Sequence, residues 1–275
     1  MKTTLLGTRG SVGRAGPTTV RYGGDTSSVE VASDDGSILL LDAGSGVVHA
    51  SEEATTGPVH VLLTHLHMDH IQGLGFLRPL FDPNTEVHIW APAGGSRTLA
   101  AKLGRYLSPP LFPVRLRDIP ALVLHELRPG DFTIGPFEIS ADFIIHPGRT
   151  FGYRISVDGK TLAYLPDHEP VLGAEHITAG PQWTSGYELA RDVDLLIHDA
   201  QYSDDEYRQR IGWGHSTLTH AADFAEMAAV KCLVPFHHEP DHSDESIDQM
   251  LADIAESRAW EFTLEPGLAG AVFEL

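Results

Sequence analysis

The stretch Val61-Leu62-Leu63-Thr64-His65-Leu66-His67-Met68-Asp69-His70 constrains the fold of this chain more than any other. An apolar run that reads as a buried strand passes directly into four metal-competent side chains. The loop after a buried strand is where open α/β folds place their chemistry. His65 and His67 are two apart, and side chains share a helix face only when three or four apart. An irregular loop can still turn both imidazoles toward one ion, and the adjacent Asp69 and His70 could reach a second. Imidazole and carboxylate donors without thiolate suit zinc, with manganese or iron as alternatives.

The rest of the chain supplies strands in number. Apolar or β-branched runs occur at Ser28–Val31, Ser37–Leu41, Glu86–Trp90, Ala121–Leu124, Phe137–Ser140, Tyr153–Val157 and Thr161–Tyr164. Asp158-Gly159 between the last two reads as a hairpin turn. Two later segments read as helices. Leu218, Ala221, Ala222, Ala225, Ala228 and Ala229 follow Ser216 at helical spacing. Ser243 is an N-cap, with Asp244 and Glu245 in the first turn and Ile247, Met250, Leu251 and Ile254 as the apolar stripe. Many strands with interspersed helices imply an α/β fold of two sheets covered by helices, a four-layer αββα sandwich. No linker or repeat divides the chain, so a single domain over 1–275 is expected. Leu103–Pro120, with four prolines, reads as an excursion over the surface: a lid, a dimer contact and a plain connection all fit it.

Three more apolar runs end in donors: Ile144-Ile145-His146, Leu165-Pro166-Asp167-His168 and Leu233-Val234-Pro235-Phe236-His237-His238. Together with the first cluster they point to a metal centre. The set His65-x-His67-x-Asp69-His70, His146, Asp167 and His237 resembles the metallo-β-lactamase fold superfamily over nearly the whole chain. Gly7-Thr8-Arg9-Gly10-Ser11, Tyr22-Gly23-Gly24-Asp25-Thr26-Ser27, His146-Pro147-Gly148, Gly152-Tyr153-Arg154 and Gly212-Trp213-Gly214-His215-Ser216 look like its phosphodiesterase branch. That branch holds phosphoribosyl cyclic phosphodiesterases, cyclic-nucleotide phosphodiesterases and tRNA 3′-processing endonucleases. The resemblance implies that His65, His67 and His146 hold one divalent ion, that Asp69, His70 and His237 hold a second, and that Asp167 bridges. His237 rather than His238 matches the related pattern.

Two ions about 3.5–4 Å apart lower the pKa of a shared water and take charge from phosphate oxygens. Asp69 would orient that water. The leaving alkoxide needs a proton, and His215, backed by Asp199 in Ile197-His198-Asp199-Ala200-Gln201, is the expected donor. A carboxylate behind an imidazole sets its tautomer and raises its pKa. This segment resembles the His-Glu-Ala-Thr motif of the tRNA-processing enzymes, with Asp in place of Glu. His168, His198 and His220 read as structural. Glu239, Asp241, His242 and Asp244 read as a solvated acidic loop, and Arg9 as either a phosphate contact or part of a tight turn.

Charge narrows the partners. Of 275 residues, 38 are acidic and 19 basic, for a net charge of −19. Proteins that hold polyanions do so with Lys and Arg. A small anionic phosphodiester, preferably cyclic, is the expected substrate, with no long nucleic acid, no membrane, and a homodimer compatible with the sequence. The lone cysteine, Cys232, excludes an internal disulfide, and the N-terminus is too quickly polar for a signal peptide, so a reducing cytoplasm is expected. The family's cysteine-ligated β-lactamases are disfavoured, because the late acid is Asp167. A subgroup's N-terminal cysteine zinc site has no counterpart between Arg14 and Gly24, nor does the basic tRNA-holding arm anywhere in the chain. Hydrolysis of a carboxylester, lactone or thioester is the first alternative function, and tRNA 3′ processing the second.

Overall fold

A computed structural model of the chain describes residues 1–51, 57–177 and 180–275. Among these, two sheets face each other. The first is built from β1 (Lys2–Gly7), β2 (Ser28–Ala32), β3 (Ile38–Leu41), β4 (Val59–Leu62), β5 (Val87–Pro92), β6 (Leu122–Leu127) and β14 (Val272–Glu274), in the order β14-β1-β2-β3-β4-β5-β6. The second contains β7 (Gly130–Ile134), β8 (Phe137–Phe143), β9 (Phe151–Val157), β10 (Lys160–Leu165), β11 (Leu195–Asp199), β12 (Cys232–Phe236) and β13 (Thr263–Leu264), in the order β13-β12-β11-β10-β9-β8-β7.

Each sheet is antiparallel in one half and parallel in the other. β3 to β6 run parallel in the first, and β10 to β13 in the second. The two parallel halves direct their carboxyl ends to one region, where ligand sites form in such sheets. The β9–β10 hairpin turns at Asp158 and Gly159, both at positive φ (55° and 72°), as a two-residue turn between right-twisted strands requires.

The apolar layers follow from strand alternation. Val29, Val31, Leu39, Leu41 and Leu62 of one sheet meet Ile139, Tyr153, Ile155, Leu162, Tyr164, Ile197 and Val234 of the other. Each fully buried aliphatic side chain there contributes about 1.5–3 kcal/mol. Leu40, Val61, Val87 and Ile89 point to the opposite side of the first sheet. They are covered by α1 (Met68–Ile71), α2 (Leu99–Leu103) and the Pro-rich segment after it. That segment is no loose excursion: Leu107, Phe112, Leu116 and Ile119 are buried in this layer, and the Tyr106 hydroxyl donates to the Gln72 carbonyl at 2.5 Å. Its large apolar residues need a sheet face to cover, which a list of prolines conceals.

Behind the second sheet lie α3 (Tyr187–Ala190), α5 (Leu218–Met227) and α6 (Asp244–Ser257). Ala221, Ala222 and Ala225 let α5 approach the strands closely, and Phe224 fills the space beside them. Thr217, rather than Ser216, caps α5, and Ser243 caps α6 by accepting from Ser246 N–H. α4 (Asp204–Tyr207) starts on a capping box between Ser203 and Glu206. Two ties join the sheets next to the histidine loop: the Phe151 N–H donates to the Thr64 carbonyl (3.0 Å), and the Tyr153 hydroxyl to that of Leu63 (2.6 Å). No helix among the described residues is long and apolar enough to cross a membrane.

Candidate metal centre

Every donor at the centre sits just past the end of a strand. His65 and His67 follow β4, with Asp69 and His70 on the single turn of α1. His146 follows β8, Asp167 follows β10, and His237 follows β12. They form two groups whose donor atoms lie within 4.8 Å of one another: His65, His67, His146 and Asp167, and then Asp69, His70, Asp167 and His237. Asp167 belongs to both. His237 adopts φ 59°, while His238 turns away and faces the Gly267 carbonyl at 3.2 Å.

The ring nitrogens facing away from the centre are each assigned a role by an acceptor. His146 Nδ1 donates to the Gly214 carbonyl (2.8 Å) and His237 Nδ1 to Gln201 Oε1 (3.1 Å). His65 Nδ1 donates to the Thr64 hydroxyl (3.0 Å), which itself donates to Asp42 (2.9 Å). His70 Nδ1 donates to Asp42 Oδ2 at 2.8 Å. With Nδ1 committed, Nε2 of each ring is left for the centre, the outer-sphere arrangement typical of metal-bound histidine. Asp42 is the hub: it also accepts from the Thr64 N–H (2.7 Å) and the Tyr164 hydroxyl (3.0 Å).

Three buried atoms here have no hydrogen-bond partner: His65 Nε2, His70 Nε2 and Asp167 Oδ1. His70 Nε2 and Asp167 Oδ1 are 2.9 Å apart yet misaligned for a hydrogen bond. Buried polar atoms are rarely left unsatisfied. Orphans that converge on one point, with a nitrogen and oxygen donor set, fit divalent cations. The electrostatics agree. Burial pushes His65 well below its ordinary range and His146 down to about 4, so these rings offer free lone pairs. Burial likewise disfavours charge on His70 and His237. For His70 it is overcome by the carboxylates of Asp167, Asp42 and Asp69, and its pKa is raised. For His237 it is overcome by those of Asp167 and Asp69, and its pKa rises to about 9. Burial alone would raise Asp69 and Asp167, yet His70 and His237 hold both carboxyls below their usual range. The same carboxylates that favour positive charge on His70 and His237 would favour a divalent cation between them.

Beside this centre stands His215, whose Nδ1 donates to Asp199 Oδ2 at 2.6 Å. Asp199 also accepts from the backbone N–H groups of His168, Gln201 and Ser216 at 3.0–3.1 Å. The shorter Asp therefore reaches His215 without difficulty. Asp199, His215 and His237 form a third close group. Within it, His215 Nδ1 is already committed to Asp199. Gly214 sits at φ 90°, and a Cβ there would lie 2.5 Å from His146 Nδ1. Only glycine lets this loop pass over His146 and bond it.

Asp42 and Glu169 carry no motif of their own, and Gln201 ends the His198-Asp199-Ala200-Gln201 segment without having been singled out. Asp42 does follow a strand, the signal that marked Thr64-His65. Glu169, buried, accepts from Gly212 N–H (2.9 Å), Gly214 N–H (2.8 Å) and the Tyr207 hydroxyl (2.7 Å), holding the loop that carries His215. Of the two readings of Arg9 the structural one holds: it is fully buried, and its guanidinium donates to the carbonyls of Gly23, Glu239 and His242 at 2.9–3.1 Å. One expectation needs correction: the acidic run after His237 is not a solvated loop. Asp244 is buried and accepts from the N–H groups of Arg21 and Tyr22, and Glu239 accepts from Gln201 at 2.6 Å; of the four only Asp241 is exposed. His168, His198 and His220 stand outside the centre. His168 Nδ1 lies 2.9 Å from His198 Nε2, and His220 Nε2 donates to the Ala174 carbonyl at 2.7 Å.

The sequence model of the beta-lactamase superfamily domain matches residues 38–238, which span every donor of both groups. This chain belongs to that superfamily. The superfamily chain is 28% identical over 284 residues to the ribonuclease Z of Haloarcula marismortui, covering 86% of each. Its fold matches the human short-form tRNase Z (TM-score 0.66, 21% identity, 100% of this chain and 99% of that one). It equally matches a diphosphatase from the PhnP family (TM-score 0.66, 21% identity, 100% and 97%). The superfamily chain is a metal-dependent hydrolase of the phosphodiesterase branch, with His and Asp clusters suited to a dinuclear centre.

Proposed function

We infer that the enzyme hydrolyses small phosphodiesters, cyclic ones preferred, with two Zn²⁺ ions held by His65, His67, His146, Asp69, His70, His237 and the shared Asp167, and that residues 1–275 act as one domain. Bound there, the ions would supply an activated water and neutralise developing phosphate charge. The chain's own groups do the rest. Asp69 Oδ2 is fixed by the Ser11 N–H at 2.8 Å and stands ready to orient the attacking water. His215, supported by Asp199, donates a proton to the leaving oxygen.

The observation that carries this reading is the Asp199–His215 pair, which lies against a donor of each group, His146 and His237. A proton donor next to such a centre serves a poor leaving group, an alkoxide such as a sugar oxygen. It is unnecessary for a thiolate, which argues against thioesters. The choice of a small substrate rests on the net charge of −19, which repels a long polyanion. A second reading, tRNA 3′ processing, is favoured by the similarity to ribonuclease Z.

Zinc- or manganese-loaded protein assayed against 2′,3′- and 3′,5′-cyclic nucleotides, cyclic phosphoribosyl compounds, an aryl ester and a precursor tRNA separates these readings. Turnover of cyclic phosphates with little tRNA cleavage is expected. Efficient tRNA processing at physiological salt with no turnover of cyclic phosphates would establish the second reading instead.

A further inference from the structure

The loop that carries His215 also presents a tryptophan to solvent. Trp213 is 60% exposed, and Gly214 and His215 follow it directly. Among the described residues no ring contact and no side-chain hydrogen bond involves its indole. Two more large apolar side chains stand exposed on neighbouring segments, Ile211 at 48% and Leu172 at 61%. The segments touch, for a Cβ on Gly173 would lie 3.6 Å from Ile211 Cγ2.

One buried hub holds both segments. The N–H groups of Gly212 and Gly214, on either side of Trp213, donate to the buried Glu169 carboxylate at 2.9 and 2.8 Å. The Tyr207 hydroxyl donates to Glu169 at 2.7 Å and accepts from the Gly173 N–H at 2.9 Å. A carboxylate taken out of water must be surrounded by donors, which ties these groups to one arrangement. Gly212 and Gly214 sit at φ 83° and 90°, a conformation other residues adopt only with strain. The backbone of Trp213 is thus fixed from both sides while its ring stays in water. An exposed apolar patch next to a reactive centre marks a binding surface. The surrounding charges narrow its ligand. Arg208 faces Asp205 and Glu175 (3.2 and 3.5 Å), and Arg210 faces Glu206 (3.8 Å) and lies over the Tyr202 ring. Both arginines before the loop already have carboxylates, so the patch suits an uncharged group rather than a phosphate.

We propose that Trp213, with Ile211 and Leu172 beside it, is a platform on which a flat, uncharged ring of the substrate stacks, which makes Trp213 a specificity-determining residue. This rests on the phosphodiesterase reading above. There His215, two residues further on, protonates the leaving oxygen, so the alcohol portion that bears this oxygen lies on the Trp213 side. An indole whose backbone is already fixed loses little freedom when a ring settles on it. Stacking accepts any flat ring, because each has a π-face, so the platform selects a ring rather than one particular ring.

The test compares, on the metal-loaded enzyme, adenosine 3′,5′-cyclic phosphate with the same cyclic phosphate carrying hydrogen in place of the base. The base should raise kcat/KM roughly tenfold or more, mainly through KM, as ring stacking does. In Trp213→Ala that preference should fall about fivefold or more, and Trp213→Phe should keep most of it. A preference near one in the wild type, or one untouched by Trp213→Ala, overturns the platform. Binding is read separately by nuclear magnetic resonance. The Trp213 indole N–H signal, identified by its loss in Trp213→Phe, should shift when adenosine is added and stay in place when ribose is added. If neither cyclic phosphate is turned over, the phosphodiesterase reading fails, and this signal still decides the platform: no shift with adenosine rejects it. A wild type that is dimeric in solution, with Trp213→Ala monomeric, would assign the patch to a second copy of the chain and likewise overturn the proposal.

Discussion

The His215 ring stacks on that of His237, with 4.9 Å between centroids and 14° between planes, while its Nδ1 is tied to Asp199. Stacking and hydrogen bond together leave the ring little freedom except to present Nε2 toward the space before the donor groups. The same ring meets His146 edge-on at 4.9 Å. A residue from the loop before α5 is thereby locked against donors from β8 and β12.

His215→Ala should keep both metal ions and lose roughly 10²–10⁴-fold in kcat on an alkyl phosphodiester, the usual contribution of a general acid. A p-nitrophenolate leaves without a proton, so a p-nitrophenyl phosphodiester should suffer far less. Asp199→Asn should show the same pattern more weakly. Equal losses on both substrates, in a protein of lowered melting temperature, would leave His215 a purely structural residue.

Asp167→Ala removes a carboxylate that belongs to both donor groups. Metal analysis should find both ions weakened together, with activity lost in parallel. Full metal content and an undiminished rate in this variant would show the centre to be assembled otherwise.

Asp42 belongs to neither donor group, yet it orients His70 directly and, through Thr64, His65. Asp42→Asn should weaken metal binding by about 10–100-fold, as loss of such outer-sphere partners does. Tyr164→Phe removes only one hydrogen bond to Asp42, a loss of about 1 kcal/mol in stability, and should leave metal affinity near wild type. Competitive chelator titration of the two variants distinguishes orientation from general destabilisation. Indistinguishable affinities would refute the role given to Asp42.

Burial lowers the His198 pKa to about 4, so the folded chain binds fewer protons there than the unfolded chain does from its ordinary value of 6.5 down to that point. Stability rises with pH where the unfolded state binds more protons. His198 therefore withdraws stability as pH falls from 6.5 toward 4, by about 1.4 kcal/mol per pH unit at most. His198→Gln should flatten this decline relative to wild type in urea denaturation at pH 7.5 and 5.5. Parallel pH dependences would assign the acid sensitivity to other groups.

Local chemistry was legible in the residues alone. The runs ending in His146, Asp167 and His237 are apolar until the donor, and that before His65 until Thr64, because a buried strand must shed its polar groups at its end. The Asp158-Gly159 turn and the Ser243 cap were equally visible, since both depend on backbone requirements of neighbouring residues. β1 and β14 were not. Their pairing joins Lys2 to Glu274, and no local pattern announces a partner at the other end of the chain. The Pro-rich segment misled for a related reason: its composition reads as a loop, while Leu107, Phe112 and Leu116 answer to a sheet face supplied by distant strands.

The sequence was thus enough for the donor types, their places at strand ends and the class of fold, because these depend on spacing and polarity within a few residues. Which side chain completes which group was a matter of the folded chain. Asp42 under His70, Gln201 behind His237, Glu169 beneath the Gly-Trp-Gly-His loop and the burial of Arg9 under the Glu239–His242 carbonyls all join residues far apart in sequence. Such contacts arise when two sheets pack and their parallel halves converge. A polar side chain taken out of water there must find whatever partner the packing brings within 3 Å or so.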